Sequence, residues 1–202
     1  MMDAVILDLG NVLAFHDNER LFTEMARAFH TTRDELRARL EGGLWDRVNR
    51  GLVPGDALRV ELVARLGHSL TAAAWFELWN CHFTLHEEMV RDVERLVGRV
   101  RLVLLSNTHD QHVAWLRPRL PVLERFDALV LSYEVGAVKP ERRIYERALA
   151  AAAVPPERAV FFDDVPRYAE AAAQVGLHGR VFTTAARFRE DLHALGGPAL
   201  PD

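Results

Sequence analysis

A chain of 202 residues holds one sizeable domain, or one domain with a modest insertion. Half of its residues are hydrophobic, and 25 Lys and Arg stand against 29 Asp and Glu for a formal charge of −4, a balance that argues against the clustered basic face of a nucleic-acid binder. The one cysteine, Cys81, excludes an intrachain disulfide and reads as a small apolar side chain in the stretch from Trp75 to Phe83.

The first element is the apolar run Ala4 to Leu7, ending at Asp8 and followed by Gly10: a buried strand leading into a tight loop. Asp3 and Asp8 interrupt this run, so it does not read as a signal peptide, and no stretch is long and uncharged enough to span a bilayer. The expectation is a cytoplasmic protein without a membrane partner. From His16 to Arg99 the pattern is helical, with amphipathic segments at Glu19 to Phe29, Arg33 to Leu40, Asp56 to Leu66, Ala72 to Cys81 and Glu87 to Val97. Thr32 with Glu35 forms a capping box before the second of these, and Thr71 is a candidate cap for the fourth. Apolar runs then recur at Arg101 to Leu105, Ala128 to Leu131, Ala159 to Phe162 and Arg180 to Phe182. Helical patterns separate them: Gln111 to Leu120, interrupted at Pro118; Glu141 to Ala153, with Pro140 suited to a first helical position; and Arg167 to Val175, stopped by Gly176. The tail from Gly196 onward reads as frayed.

Strands alternating with helices predict a parallel sheet covered on both faces, and the long helical stretch after the first strand predicts an insertion. The expected division is an α/β core of residues 1–15 and 100–202 and a helical cap of residues 16–99. Polar residues collect where the apolar strands end. Asp8 follows the first strand, Ser106 and Asn107 the second, and Asp163 with Asp164 the fourth, while Lys139 comes a few residues after the third. In an open parallel sheet those ends converge on the crevice where ligands bind. Each residue alone also fits a turn or a helix cap. Together and in order they suit one chemistry, in which carboxylates hold a hard cation, cation and lysine neutralise a phosphate, and another carboxylate oxygen attacks phosphorus.

The segments AVILDLGNVL, LVLLSNT, VGAVKPERRIY and AVFFDD resemble the four ordered motifs of the haloacid dehalogenase-like (HAD) hydrolases, and the helical insertion resembles their C1-type cap. Within that superfamily the motifs look closest to bacterial sugar phosphatases of the glucose-1-phosphatase-like branch. The resemblance implies a Rossmann-like five-stranded parallel sheet of order 5-4-1-2-3, with helices on both faces and an inserted helical-bundle cap. It implies a Mg²⁺-dependent phosphomonoester hydrolase acting on a small phosphorylated metabolite, as a monomer or homodimer. By the same resemblance Asp8 is nucleophile and metal ligand, and Gly10 offers a backbone carbonyl to the metal. Ser106 and Asn107 line the phosphate pocket, and Lys139 bridges nucleophile and phosphate. Asp164 is a direct metal ligand, and Asp163 holds a metal-bound water.

Two positions depart from the pattern. Gly10 stands where the usual phosphatase motif has a second Asp as general acid and base, and Tyr168 stands where an Asn or Asp often closes the fourth motif. His16 is a possible replacement acid, although a polar residue at the cap hinge needs no such role. Trp45, Asp46, Arg47 and Asn49 could face a sugar, although an aromatic and an Arg near a helix end more often serve packing and surface; Trp75, Trp79 and Trp115 read as core. The nine histidines show no metal-ligand spacing. Two other readings use the same residues: a metal-free 2-haloacid dehalogenase, which a clustered acidic pair disfavours, and a non-catalytic binding module.

Overall fold

The computed structural model describes residues 1–40 and 43–201. In chain order its elements are β1 (Ala4–Leu7), β2 (Ala14–His16), α1 (Asn18–Ala28), α2 (Arg33–Leu40), α3 (Leu44–Asn49), α4 (Ala57–Leu66), α5 (Ala72–Asn80), β3 (Phe83–Leu85) and α6 (Glu87–Leu96). There follow β4 (Arg101–Ser106), α7 (Asp110–Leu116), β5 (Ala128–Leu131), α8 (Ser132–Val135), α9 (Arg142–Ala152), β6 (Ala159–Asp163), α10 (Pro166–Ala173), β7 (His178–Val181) and α11 (Ala185–Ala194).

Five parallel strands form the main sheet in the order β5-β4-β1-β6-β7. Numbered among themselves in chain order, these strands read 5-4-1-2-3 from the β7 edge, the order the family resemblance implies. Alternation along the strands divides the core. Val5, Leu7, Leu102, Leu104, Val160 and Phe162 pack on one face with Met89, Val93 and Leu96 of α6 and Phe188 and Leu192 of α11. Ala4, Ile6, Val103, Leu105, Ala159 and Phe161 pack on the other with Ile144, Tyr145 and Ala148 of α9 and Ala172 of α10. Both faces are therefore covered, which is why the strands read as unbroken apolar runs.

The helical stretch after β1 builds its own cluster from Leu21, Met25, Phe29, Leu36, Val48, Leu58, Leu62, Trp75 and Trp79. Both expected caps are made: Thr32 Oγ1 accepts from the Glu35 N–H and Thr71 Oγ1 from the Ala74 N–H. Two short strands absent from the sequence reading join this cluster to the sheet. β2 and β3 pair antiparallel, Ala14 with Leu85 and His16 with Phe83, as a ribbon through which the chain leaves and re-enters the core. Polar contacts tie the helices to α7 and the start of α9: the Gly55 N–H donates to Asp110 (3.1 Å), Trp75 Nε1 to Gln111 (2.9 Å), and Arg50 pairs with Glu141 (2.6 Å). A Cβ on Gly51 would sit 2.0 Å from the Tyr133 carbonyl oxygen, so only glycine allows this approach.

Several local expectations are corrected. Pro140 is not a first helical residue; the Lys139-Pro140 bond is cis, and α9 starts at Arg142 after Glu141. Strand β7 begins two residues before the expected run, since an edge strand needs no continuous apolar stretch. Cys81 is only half-buried, and Trp115 is half-buried with Nε1 donating to Glu77, so neither is a core residue. The tail is tied rather than frayed through residue 201: Leu200 packs on the core, and the carbonyls of Ala199 and Pro201 accept from Arg99 and Arg95. Asp202 of that expected tail lies outside the described residues.

Candidate active site

Parallel pairing of β4, β1 and β6 brings three loop starts side by side. The Asp8 N–H donates to the Phe162 carbonyl (3.0 Å), which fixes Asp8 one step beyond β1, while Ser106 and Asp163 are the last residues of their strands. Lys139 arrives from beyond β5, on the loop after α8. Asn107 holds that loop from both sides, accepting the Lys139 N–H on Oδ1 (2.7 Å) and donating Nδ2 to the Lys139 carbonyl (3.1 Å). Asn107 thus lines the site with its side-chain amide engaged in placing the lysine.

Lys139 Nζ stands 2.8 Å from Asp8 Oδ1 and 2.5 Å from Asp163 Oδ2, and the lysine is 2% exposed. The other Asp163 oxygen accepts the Val165 N–H (2.9 Å), while Asp164 Oδ2 accepts from Asn11 Nδ2 (2.8 Å). Burial is the largest influence on Asp8 and pushes its carboxyl well above the usual carboxylate range; Lys139 pulls against that shift and Asp163 adds to it. Burial also opposes the charge on Lys139, but Asp8 and Asp163 outweigh it, so the ammonium is favoured. A buried cation between two carboxylates is the arrangement that keeps such charges tolerable away from water.

Carboxylate oxygens of Asp8, Asp163 and Asp164 lie within 4.8 Å of one another. Three hard oxygen donors this close fit a hard divalent cation such as Mg²⁺. Beside them opens a cavity of about 270 Å³ whose lining includes Gly10, His16, Ser106, Asn107 and Tyr168. Trp45 and Asn49 line it as well, Trp45 also packing against the cap cluster, whereas Asp46 turns to Arg50 (2.7 Å).

Both departures from the family pattern have a structural counterpart. A Cβ built on Gly10 would lie 3.5 Å from the His16 ring, so His16 occupies the space beside the position where a second aspartate usually stands. Tyr168 walls the cavity with its ring 5.2 Å from Lys139 Nζ, an aromatic face over the buried cation. The sequence reading missed one feature. His82, His109 and His112 come together against Trp79, with His109 and His112 ring centroids 3.8 Å apart and His82 and His112 5.5 Å apart. The one signal for it was the spacing of His109 and His112, three apart around a single helical turn.

Residues 2–176 match the family model of the haloacid dehalogenase-like hydrolases. The chain is similar to D-ribitol-5-phosphate phosphatase of Bacteroides thetaiotaomicron, with 26% identity over 81% of this chain and 84% of that one. Among solved structures it resembles a HAD family enzyme of Bacteroides thetaiotaomicron in complex with magnesium and inorganic phosphate, with a TM-score of 0.82 and 24% identity over 91% of this chain and 95% of that one. It also resembles a HAD-like family hydrolase of Porphyromonas gingivalis, with a TM-score of 0.84 and 23% identity over 96% and 98%. At that identity the two structures speak for the fold alone. The chain belongs to the haloacid dehalogenase-like hydrolases.

Proposed function

We propose that this hydrolase is a Mg²⁺-dependent phosphatase of a small phosphorylated metabolite, working through a phosphoryl group carried on Asp8. The observation that carries the reading is the placement of Asp8: one oxygen 2.8 Å from the buried Lys139 ammonium, beside two further carboxylates. The name of the curated relative, a sugar-alcohol phosphate phosphatase, supports the same class of substrate.

Asp8, Asp164 and the Gly10 carbonyl would hold the metal. When bound, the cation offsets the phosphate's charge and favours the ionised form of Asp8 that attack requires. Asp163 spends its two oxygens on Lys139 and the Val165 N–H, so we assign it chiefly to fixing the lysine. Ser106 and Lys139 bind the phosphoryl oxygens, and the loop at Leu9 and Gly10 offers backbone N–H groups. In the first step an Asp8 oxygen attacks phosphorus, the ester P–O bond breaks, and the leaving alkoxide takes a proton. We assign that proton to His16, which stands beside Gly10 in the cavity lining. Water then attacks the aspartyl-phosphate, its proton passes to His16, and phosphate and the free carboxylate are regenerated.

The division of the chain follows the packing. We place the cap between the ribbon strands β2 and β3, which assigns α6 to the core whose sheet it covers, although the sequence reading had it within 16–99. The function is tested by phosphate release from a set of phosphorylated metabolites with and without Mg²⁺. Release that needs the metal is expected. Equal release in excess chelator would overturn the metal assignment, and halide release from 2-haloacids without metal would replace the reading.

A further inference from the structure

Part of the cavity lining takes no part in the steps above. His82, at the turn between α5 and β3, and His112, on α7, both line it. They are 4% and 8% exposed, yet His82 Nδ1 and His112 Nε2 have no hydrogen-bond partner among the described residues. Those two atoms are closed off from the cavity, which leaves the other nitrogen of each ring as the one that a ligand hydroxyl in the cavity can pair. These rings are firmly held. His112 stacks against Trp79 at 5.8 Å and against His109 at 3.8 Å, and Trp79 Nε1 pins His109 by donating to its Nε2 (2.9 Å). They are not spaced for a metal; the one group so spaced among the described residues is Asp8, Asp163 and Asp164.

The chemistry of the wall narrows what it can receive. Burial pushes all three imidazoles down, His82 to about 4, so they are uncharged at neutral pH. An uncharged imidazole pairs with a hydroxyl as donor or acceptor and offers no charge to a second anion. Asn18 and Asn49 add amides to the lining, Trp45 and Phe83 add apolar faces, and no Lys, Arg, Asp or Glu is among the lining residues.

We propose that His82 and His112 are specificity determinants that hydrogen-bond hydroxyl groups of the leaving alcohol, selecting an uncharged, polyhydroxylated phosphomonoester over alkyl and carboxylate-bearing ones. The proposal rests on the phosphatase reading above. It is tested by kcat/KM for three esters of matched length: a pentitol 5-phosphate, n-pentyl phosphate and the phosphate ester of 5-hydroxypentanoate. Each hydrogen bond is worth about tenfold, so with two of them wild type prefers the pentitol ester over both others by about a hundredfold. His82→Phe and His112→Phe each bring the pentitol-to-pentyl ratio down by about tenfold, a readout that a general loss of structure would leave unmoved because both esters would suffer alike.

A wild type without that preference, or folded variants that keep it, would overturn the proposal. Should a phenylalanine variant fail to fold, His112→Asn and the wild-type ratio still decide. Binding gives an arm free of turnover: on Asp8→Asn protein, the His82 and His112 ring signals shift with pentitol 5-phosphate and not with pentyl phosphate. Signals unmoved by the pentitol ester contradict the proposal. Failure of the phosphatase reading shows separately, as no phosphate release even from p-nitrophenyl phosphate.

Discussion

Acidification should strip stability from this protein through its buried imidazoles, and His82→Gln isolates the contribution of one of them. His82 is held near a pKa of about 4 against 6.5 in a free side chain, because burial disfavours the imidazolium; His16 and His109 add repulsion, which the Trp79 backbone and Asp17 oppose. The unfolded chain therefore takes up its proton first as pH falls. The ring's contribution is fully present above pH 6.5 and is lost as pH drops toward 4. With those two values the loss from pH 7 is about 2 kcal/mol by pH 5 and about 3 kcal/mol by pH 4. For a chain of this size, 2 kcal/mol lowers Tm by roughly 4–8 °C. Thermal and urea unfolding of wild type and His82→Gln at pH 7, 6, 5 and 4 give the difference directly. Carboxylate titrations common to both proteins cancel in the comparison. The variant should lose less stability than wild type between pH 7 and 5, by about 2 kcal/mol. Parallel pH profiles would refute the reasoning and mean that His82 protonates in the folded protein as easily as in the unfolded one.

Asp8→Asn should abolish turnover in a protein that still folds, since it removes the attacking oxygen's charge but keeps the side-chain shape and an oxygen for Lys139; full activity in a verified sample would remove the covalent route. Asp164→Ala should weaken Mg²⁺ activation more than Asp163→Ala, measured by activity against Mg²⁺ concentration. Asp163→Ala should instead show its main loss in unfolding, by about 3 kcal/mol, because Lys139 is left buried with one carboxylate. With His16 as proton donor, wild type should show a shallow dependence of kcat/KM on leaving-group acidity, and His16→Ala a steep one, costing alkyl esters about 10²–10⁴-fold. Gly10→Asp added to His16→Ala should restore part of that loss, as a Cβ at Gly10 meets nothing closer than 3.5 Å; unchanged slopes in all three proteins would remove His16 from the chemistry.

The strands of the sheet were legible because both of its faces are buried, so four of the five runs stand out as continuous apolar sequence. The exception is β7, an edge strand reading His178-Gly179-Arg180-Val181, where Gly179 passes so close to Ala169 that a Cβ would sit 1.9 Å from its carbonyl oxygen. Neither three-residue strand of the ribbon was readable, since three residues carry no periodicity. The candidate residues could be read from their positions at strand ends, as topology alone brings Asp8, Ser106 and Asp163 together. Their pairing was less accessible. Asn107 binds the backbone of a residue 32 positions later, and Tyr168 covers Lys139 from a helix beyond β6. The histidine wall was invisible because His82 and His112 come from a cap turn and a core helix, and only the closure of one against the other gives them a common surface.

The central claim is the phosphoryl group on Asp8, and acid quench followed by peptide mass spectrometry tests it most directly. Wild-type protein with Mg²⁺ is mixed with an excess of a fast-leaving aryl phosphate, quenched within the first turnover and digested. The expected result is a gain of one phosphoryl group on the peptide containing Asp8, dependent on Mg²⁺ and lost in Asp8→Asn. Phosphate release at full rate with that peptide unmodified throughout the time course would contradict the claim.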